Sequence, residues 1–134
     1  MVDIVDPSSR SRMMAGIKGR DTTPERTVRS HLHKAGLRFR LQAKGLPGRP
    51  DVVLPRWGAV IFVHGCFWHR HAACRKAATP ASNKAFWQRK FADNVARDAR
   101  NVAALRRLGW RVYVVWECGV TSRALDVLVR RIRK

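Results

Sequence analysis

Residues 60–74 read V-I-F-V-H-G-C-F-W-H-R-H-A-A-C, an apolar run that stops abruptly in a segment of different chemistry. The segment holds three of the chain's five histidines, two of its three cysteines and one of its five tryptophans. Val60 to Val63 has the composition of a buried strand. A core strand has no use for imidazoles and thiols, which are common zinc ligands. A Phe-Trp pair between histidines has no obvious place in a core either. The stretch therefore reads as a strand whose end carries an active centre and a metal site.

The rest of the chain supplies the setting. At 134 residues it is one domain by length and can bury a core without disulfides. Hydrophobic residues make up 46%, too many for a disordered basic tail. The formal charge is +19, and self-repulsion of that size favours a polyanionic partner. No apolar run approaches the ~20 residues of a spanning helix, so nucleic acid is the expected partner rather than membrane. The first fifteen residues lack an apolar core, so no signal peptide is expected. An odd number of cysteines fits a reducing, cytoplasmic setting and metal binding better than a disulfide framework.

In chain order, residues 1–11 are expected to form a basic mobile arm, and 12–134 a single domain. A short helix is expected over 12–18. A firmer one begins at Asp21-Thr22-Thr23-Pro24-Glu25, where Thr22 and Glu25 have capping-box spacing and Pro24 suits the first turn. Val28, Leu32 and Ala35 mark its apolar side, and Gly36 ends it. Residues 37–41 read as an edge strand, and 51–54 and 59–63 as a hairpin turning near Trp57. That hairpin would set Asp51 opposite Val63 and His64, bringing a carboxylate and an imidazole together. After a loop, a long helix is expected over about 83–108, with Trp87, Phe91, Val95, Val102 and Leu105 as its stripe. Asp98 falls on that stripe, where a carboxylate must be paired or ligate a metal. A β-branched and aromatic strand over 111–116 and a closing helix over 121–134 complete a mixed α/β domain, its sheet flanked by helices.

Four residues offer a closed tetrahedral zinc site: His71 and Cys74 at H-x-x-C spacing, Cys118 after the last strand, and Asp98. The bland alternative is two buried thiols and a solvated histidine. Cys66 is expected to be a core thiol. Asp51 with His64 and His69 suits phosphodiester hydrolysis, in which a carboxylate holds Mg²⁺ and the imidazoles move protons near neutral pH. A structural ion pair would look the same. On local evidence Glu25 is a helix-capping residue, and Phe67, Trp68 and Trp87 suit either core packing or stacking on bases.

With G-R-P-D at 48–51, V-I-F-V-H-G-C-F-W-H at 60–69 and G-W-R-V-Y-V-V-W-E-C at 109–118, the chain resembles the very-short-patch-repair (Vsr) endonucleases from about residue 9 to 118. The resemblance implies a restriction-endonuclease-like core. It also implies an enzyme that nicks double-stranded DNA 5′ of the thymine in T·G mismatches left by deamination of 5-methylcytosine. It makes Asp51 and the Val63 carbonyl the Mg²⁺ ligands, and puts His64 and His69 in the reaction centre with His69 as the base. Glu25 becomes an acidic residue of that centre. His71, Cys74, Asp98 and Cys118 become ligands of a structural zinc. Phe67, Trp68 and Trp87 would form a wedge in the duplex, Lys90 and Asn94 would approach the mismatched bases, and Met14 would touch the opposite groove. Position 63 is Val where the family can carry a hydroxyl, and the spacer from His71 to Cys74 differs in length from that of some members. A monomer is expected, with other mismatch-repair proteins as further partners. The rival readings are a restriction-type endonuclease that cuts matched duplex and a zinc-stabilised DNA-binding module without catalysis.

Overall fold

The computed structural model describes residues 22–41 and 45–134. The arm over 1–11, the helix expected over 12–18 and Met14 lie outside these residues.

Helix α1 (Thr23–Lys34) starts where Thr22 Oγ1 accepts the Glu25 N–H at 3.3 Å, with Pro24 in the first turn. Gly36, at φ +87°, turns the chain beyond its C-terminus. Strand β1 (Arg40–Leu41) is shorter than the expected 37–41. Leu37 and Phe39 instead spend their side chains on the core beneath α1. Strands β2 (Val52–Leu54) and β3 (Ala59–His64) form the expected antiparallel hairpin, turning through a 3₁₀ turn at Pro55–Trp57.

Beyond β3 comes a single turn of helix, α2 (Cys66–His69), which no local sequence pattern signals, and the long α3 (Lys84–Arg107) follows it. Strand β4 (Arg111–Trp116) then pairs parallel with β3, from Ala59 beside Arg111 to His64 beside Trp116. Helix α4 (Ser122–Arg133) closes the chain, capped by Thr121. The sheet order is β1-β2-β3-β4, antiparallel except for the last pair. A parallel neighbour needs a crossover, and α2 and α3 supply it.

The buried strands β2 and β3 separate two apolar layers. On one face Val28 and Leu32 of α1, Leu125, Leu128, Val129 and Ile132 of α4, and Ile61 form one cluster. On the other, Leu105 and Val102 of α3 cover Val53, Val60 and Phe62. The fold is therefore a mixed four-stranded sheet between helices. Among the described residues no helix is long and apolar enough to cross a membrane.

The α3 stripe differs from expectation at Val95, which is 46% exposed. Asn94, Asp98 and Asn101 face the body instead, because each has a neighbour there to meet. A reading by apolar periodicity passes over such a face.

Arg111, at the start of β4, ties three elements together. Its guanidinium donates to the Trp57 carbonyl at 2.8 Å, the Ile132 carbonyl at 2.8 Å and the Arg131 carbonyl at 3.2 Å. The last two are carbonyls of the final turn of α4, where a cation is favoured. Arg111→Met is expected to destabilise the protein by about 2 kcal/mol, the scale of charge-assisted hydrogen bonds lost together. The check is a lower urea midpoint at unchanged m-value, and Lys should not restore it because it lacks the planar fork.

A candidate active site beside a candidate metal centre

The turn Gly48-Arg49-Pro50-Asp51 delivers the first functional group. A Cβ on Gly48, which sits at φ +75°, would meet Asn101 of α3 at 2.9 Å. Only glycine lets the turn pack this tightly against the helix. Asp51 follows at the mouth of β2. The register pairs Val52 with Ile61, so Asp51 falls beside Phe62 rather than opposite Val63 and His64. Its carboxylate makes up the difference by accepting the Val63 N–H at 2.6 Å.

Burial, and then the nearby Glu25 carboxylate, push Asp51 up from 3.8 to about 6, against the pull of the Val63 N–H. Glu25 itself is 5% exposed. Arg29 approaches its Oε2 at 3.8 Å, too far for a hydrogen bond, and among the described residues that buried oxygen has no hydrogen-bond partner. Two carboxylates held this close, one with an unsatisfied oxygen, suit a cation.

His64 ends β3 and His69 ends α2, and their rings stack at 3.9 Å with 3° between planes. Burial, and then the neighbouring His69, lower His64 from 6.5 to about 4, so it is neutral at physiological pH. His69 Nδ1 meets Asp98 Oδ2 at 2.6 Å. A carboxylate only accepts, so Nδ1 carries the hydrogen and Nε2 is left as an acceptor.

That contact sets Asp98 apart from the other expected metal ligands. Asp98 is held by His69, and among the described residues the thiol beside His71, Cys74 and Cys118 belongs to Cys66. One ligand atom from each of these four residues lies within 4.8 Å of the others, with His71 Nδ1 at 3.3 Å from Cys118 Sγ and 3.6 Å from Cys66 Sγ. Tetrahedral zinc with bonds of 2.0–2.3 Å separates its ligands by about 3.3–3.8 Å, so the donor set fits. Cys66 is fully buried, and burial raises its thiol to about 11. A buried thiol surrounded by two more and an imidazole is a ligand in waiting rather than core filler.

The family model for the DNA mismatch endonuclease Vsr matches residues 2–76, more than half of the chain. The chain belongs to the Vsr DNA mismatch endonuclease family. It is 47% identical over 133 residues to the type II nicking enzyme V.XorIIP of Xanthomonas oryzae pv. oryzae, covering 98% of this chain and 97% of that relative. It is 46% identical over 123 residues to the DNA mismatch endonuclease Vsr of Escherichia coli, covering 92% and 78%. The type II nicking enzyme V.NmeAIP of Neisseria meningitidis is 41% identical over 138 residues, covering 99% and 98%. The protein is thus a DNA endonuclease of mismatch repair, and DNA is its substrate.

For a Vsr-family enzyme the aromatic surroundings of α2 matter. Phe67 contacts Trp68 at 5.0 Å, Phe91 at 5.1 Å and Trp87 at 5.7 Å, each nearly edge to face. Phe67, Trp68 and Trp87 are half-buried, while Lys90 is exposed one turn along α3 from Trp87. Asn94 donates to the Trp68 carbonyl at 3.2 Å, so it braces the aromatic turn.

Sequence reading missed Arg70, which sits at φ +55°. It lies 3.9 Å over the Phe91 ring and donates to the Phe67 carbonyl at 3.2 Å and to Thr79 Oγ1 at 2.9 Å. It also missed Glu117, whose carboxylate accepts the Cys66 N–H at 3.0 Å. The left-handed position of Arg70 carries no signal in a sequence. Glu117 could have been suspected from a carboxylate directly before a ligand cysteine.

Proposed function

We propose that this enzyme is a Mg²⁺-dependent nicking endonuclease that cuts one strand 5′ of the thymine in T·G mismatches arising from deaminated 5-methylcytosine. The observation that carries the reading is the convergence of Asp51, Glu25, His64 and His69 at the end of β3, immediately before the half-buried aromatic turn.

Asp51, with the main-chain carbonyl of Val63, would hold the magnesium, and Glu25 lies beside them as a further acidic group. When bound, the metal supplies positive charge opposite the scissile phosphate. Everything else falls to the chain's own side chains. His69 Nε2 takes the proton of the attacking water, and Asp98 fixes the tautomer that leaves this nitrogen free. His64 stays neutral beneath it, so an imidazolium formed on His69 meets no second positive charge in the stack. Its buried Nδ1 has no hydrogen-bond partner among the described residues. His64 therefore serves as a packed platform for His69, and Nε2 rather than this buried nitrogen is its polar contact toward the phosphate.

Phe67, Trp68 and Trp87 act as the wedge between base pairs, unstacking the mismatch for inspection. Lys90 reaches toward the mismatched bases, and Asn94 beside it braces the wedge. A structural zinc held by Cys66, His71, Cys74 and Cys118 pins the far end of the turn that carries the wedge and His69. The core is restriction-endonuclease-like, and the described residues belong to a single domain. The enzyme works as a cytoplasmic monomer on chromosomal DNA, alongside other mismatch-repair proteins.

A panel of duplexes identical except for one base pair tests this, with Mg²⁺ present and then chelated. T·G duplexes should be nicked at least ~100-fold faster than matched T·A duplexes, because a matched pair resists the unstacking that a mismatch permits. Equal cutting of both would favour a restriction-type enzyme. Binding without cutting of either would favour a non-catalytic module.

A further inference from the structure

Trp116 has no part in the chemistry above, yet it separates the two centres. It ends β4 beside His64, its register partner at the end of β3. One face of its ring stacks on His71 at 4.3 Å and 14°. Its other contacts are nearly perpendicular, to His64 at 5.2 Å and His69 at 6.5 Å. Cys118 lies two residues further on in the metal cluster, and Glu117 between them accepts the Cys66 N–H. Three consecutive residues therefore touch the reaction histidines, the α2 turn and the metal ligands.

We propose that Trp116 is a positioning residue through which the Cys/His metal centre sets the orientation of His64 and His69. This rests on reading those histidines as the reaction centre. A ligated His71 cannot rotate, so the indole stacked upon it is held in one plane. That indole's edge then limits the tilt of His64, and the stacked His69 follows. Two orthogonal contacts at these distances need a broad flat ring, and an aliphatic side chain supplies neither.

The test compares Trp116→Leu, Trp116→Phe and His71→Cys with the wild-type enzyme on a T·G duplex. Trp116→Leu should lower kcat roughly 10- to 100-fold, the cost of a misplaced catalytic group, with KM within about 3-fold. Its zinc content should be unchanged. The ring-proton resonances of His64 and His69 should shift while those of His31 and His33 stay. Trp116→Phe should recover most of the rate. His71→Cys retains a four-ligand zinc site but loses the stack, so it should keep zinc and lose kcat.

Trp116→Leu with full kcat and bound zinc would overturn the proposal, and so would Trp116→Phe no better than Leu. Should Trp116→Leu lose its zinc, His71→Cys decides, since undiminished kcat there overturns it too. His69→Ala controls the reading underneath: if that variant still nicks, the reaction centre is misassigned, whatever Trp116 does.

Discussion

Asp51→Asn is expected to abolish nicking and, in the metal-free enzyme, to raise stability at pH 8. Loss of a metal-holding carboxylate removes several kcal/mol of transition-state stabilisation, on the order of 10³-fold or more in kcat. The stability gain follows from the proton that Asp51 keeps in the folded state. Its pKa is 3.8 ordinarily and about 6 here, so the folded protein binds the proton more tightly than the unfolded chain. That contribution is fully present below pH 3.8 and is lost as pH rises through 6. A rise of this size corresponds to roughly 2–3 kcal/mol at pH 8. Asparagine is free of this loss and can still accept the Val63 N–H.

His64 works in the opposite sense. Its pKa falls from 6.5 to about 4, so its contribution is lost as pH falls through that window. In wild type the two slopes oppose each other between pH 4 and 6. Chemical denaturation of Asp51→Asn from pH 4 to 8 should therefore show stability rising with pH, while the wild-type curve is flatter. Identical curves would remove the buried, proton-holding Asp51. Added Mg²⁺ should raise the melting temperature of wild type and leave Asp51→Asn unmoved.

The second large effect separates the two ligand sets for zinc. Cys66→Ala should empty the metal centre and destabilise the protein by on the order of 4 kcal/mol, the range seen when a structural metal is lost. Asp98→Asn should keep zinc and most of the stability but slow nicking by about 10²-fold, because His69 loses the partner that fixes its tautomer. Metal analysis of the purified variants, read beside nicking rates, checks both. Zinc retained in Cys66→Ala and lost in Asp98→Asn would restore the set first read from the sequence.

The reason the two sets differ is physical. Asp98 was recognisable as a carboxylate on an inward face that needed a partner. Which of two imidazoles two residues apart supplies it depends on the rotation of α2, a helix of four residues. Nothing in the composition of Cys66–His69 forecasts that turn, and without it Cys66 looks like core. The hairpin, the capped α1 and the strand over 111–116 were legible because each rests on local periodicity, a cap or a turn. The register slip at Asp51 was not, since one residue in the Pro55–Trp57 turn decides it. Glu25 satisfied half of its expected capping role through its own N–H, while its carboxylate went to the neighbourhood of Asp51.

Helix α3 leaves its mark on what this chain can become. Asn94, Asp98 and Asn101 follow one another at spacings of four and three, and their partners are the Trp68 carbonyl, His69 and the Gly48 turn. The aromatic turn, His69 and the turn that leads into Asp51 are thus gauged against one stripe. Inserting or deleting a single residue between 94 and 101 would rotate part of that stripe by about 100° and break the common alignment. A point substitution there disturbs one of these contacts, whereas a length change disturbs all three. Natural variation in length should therefore gather in the segment from Ala72 to Ser82 and beyond Gly119, and leave these eight positions uninterrupted.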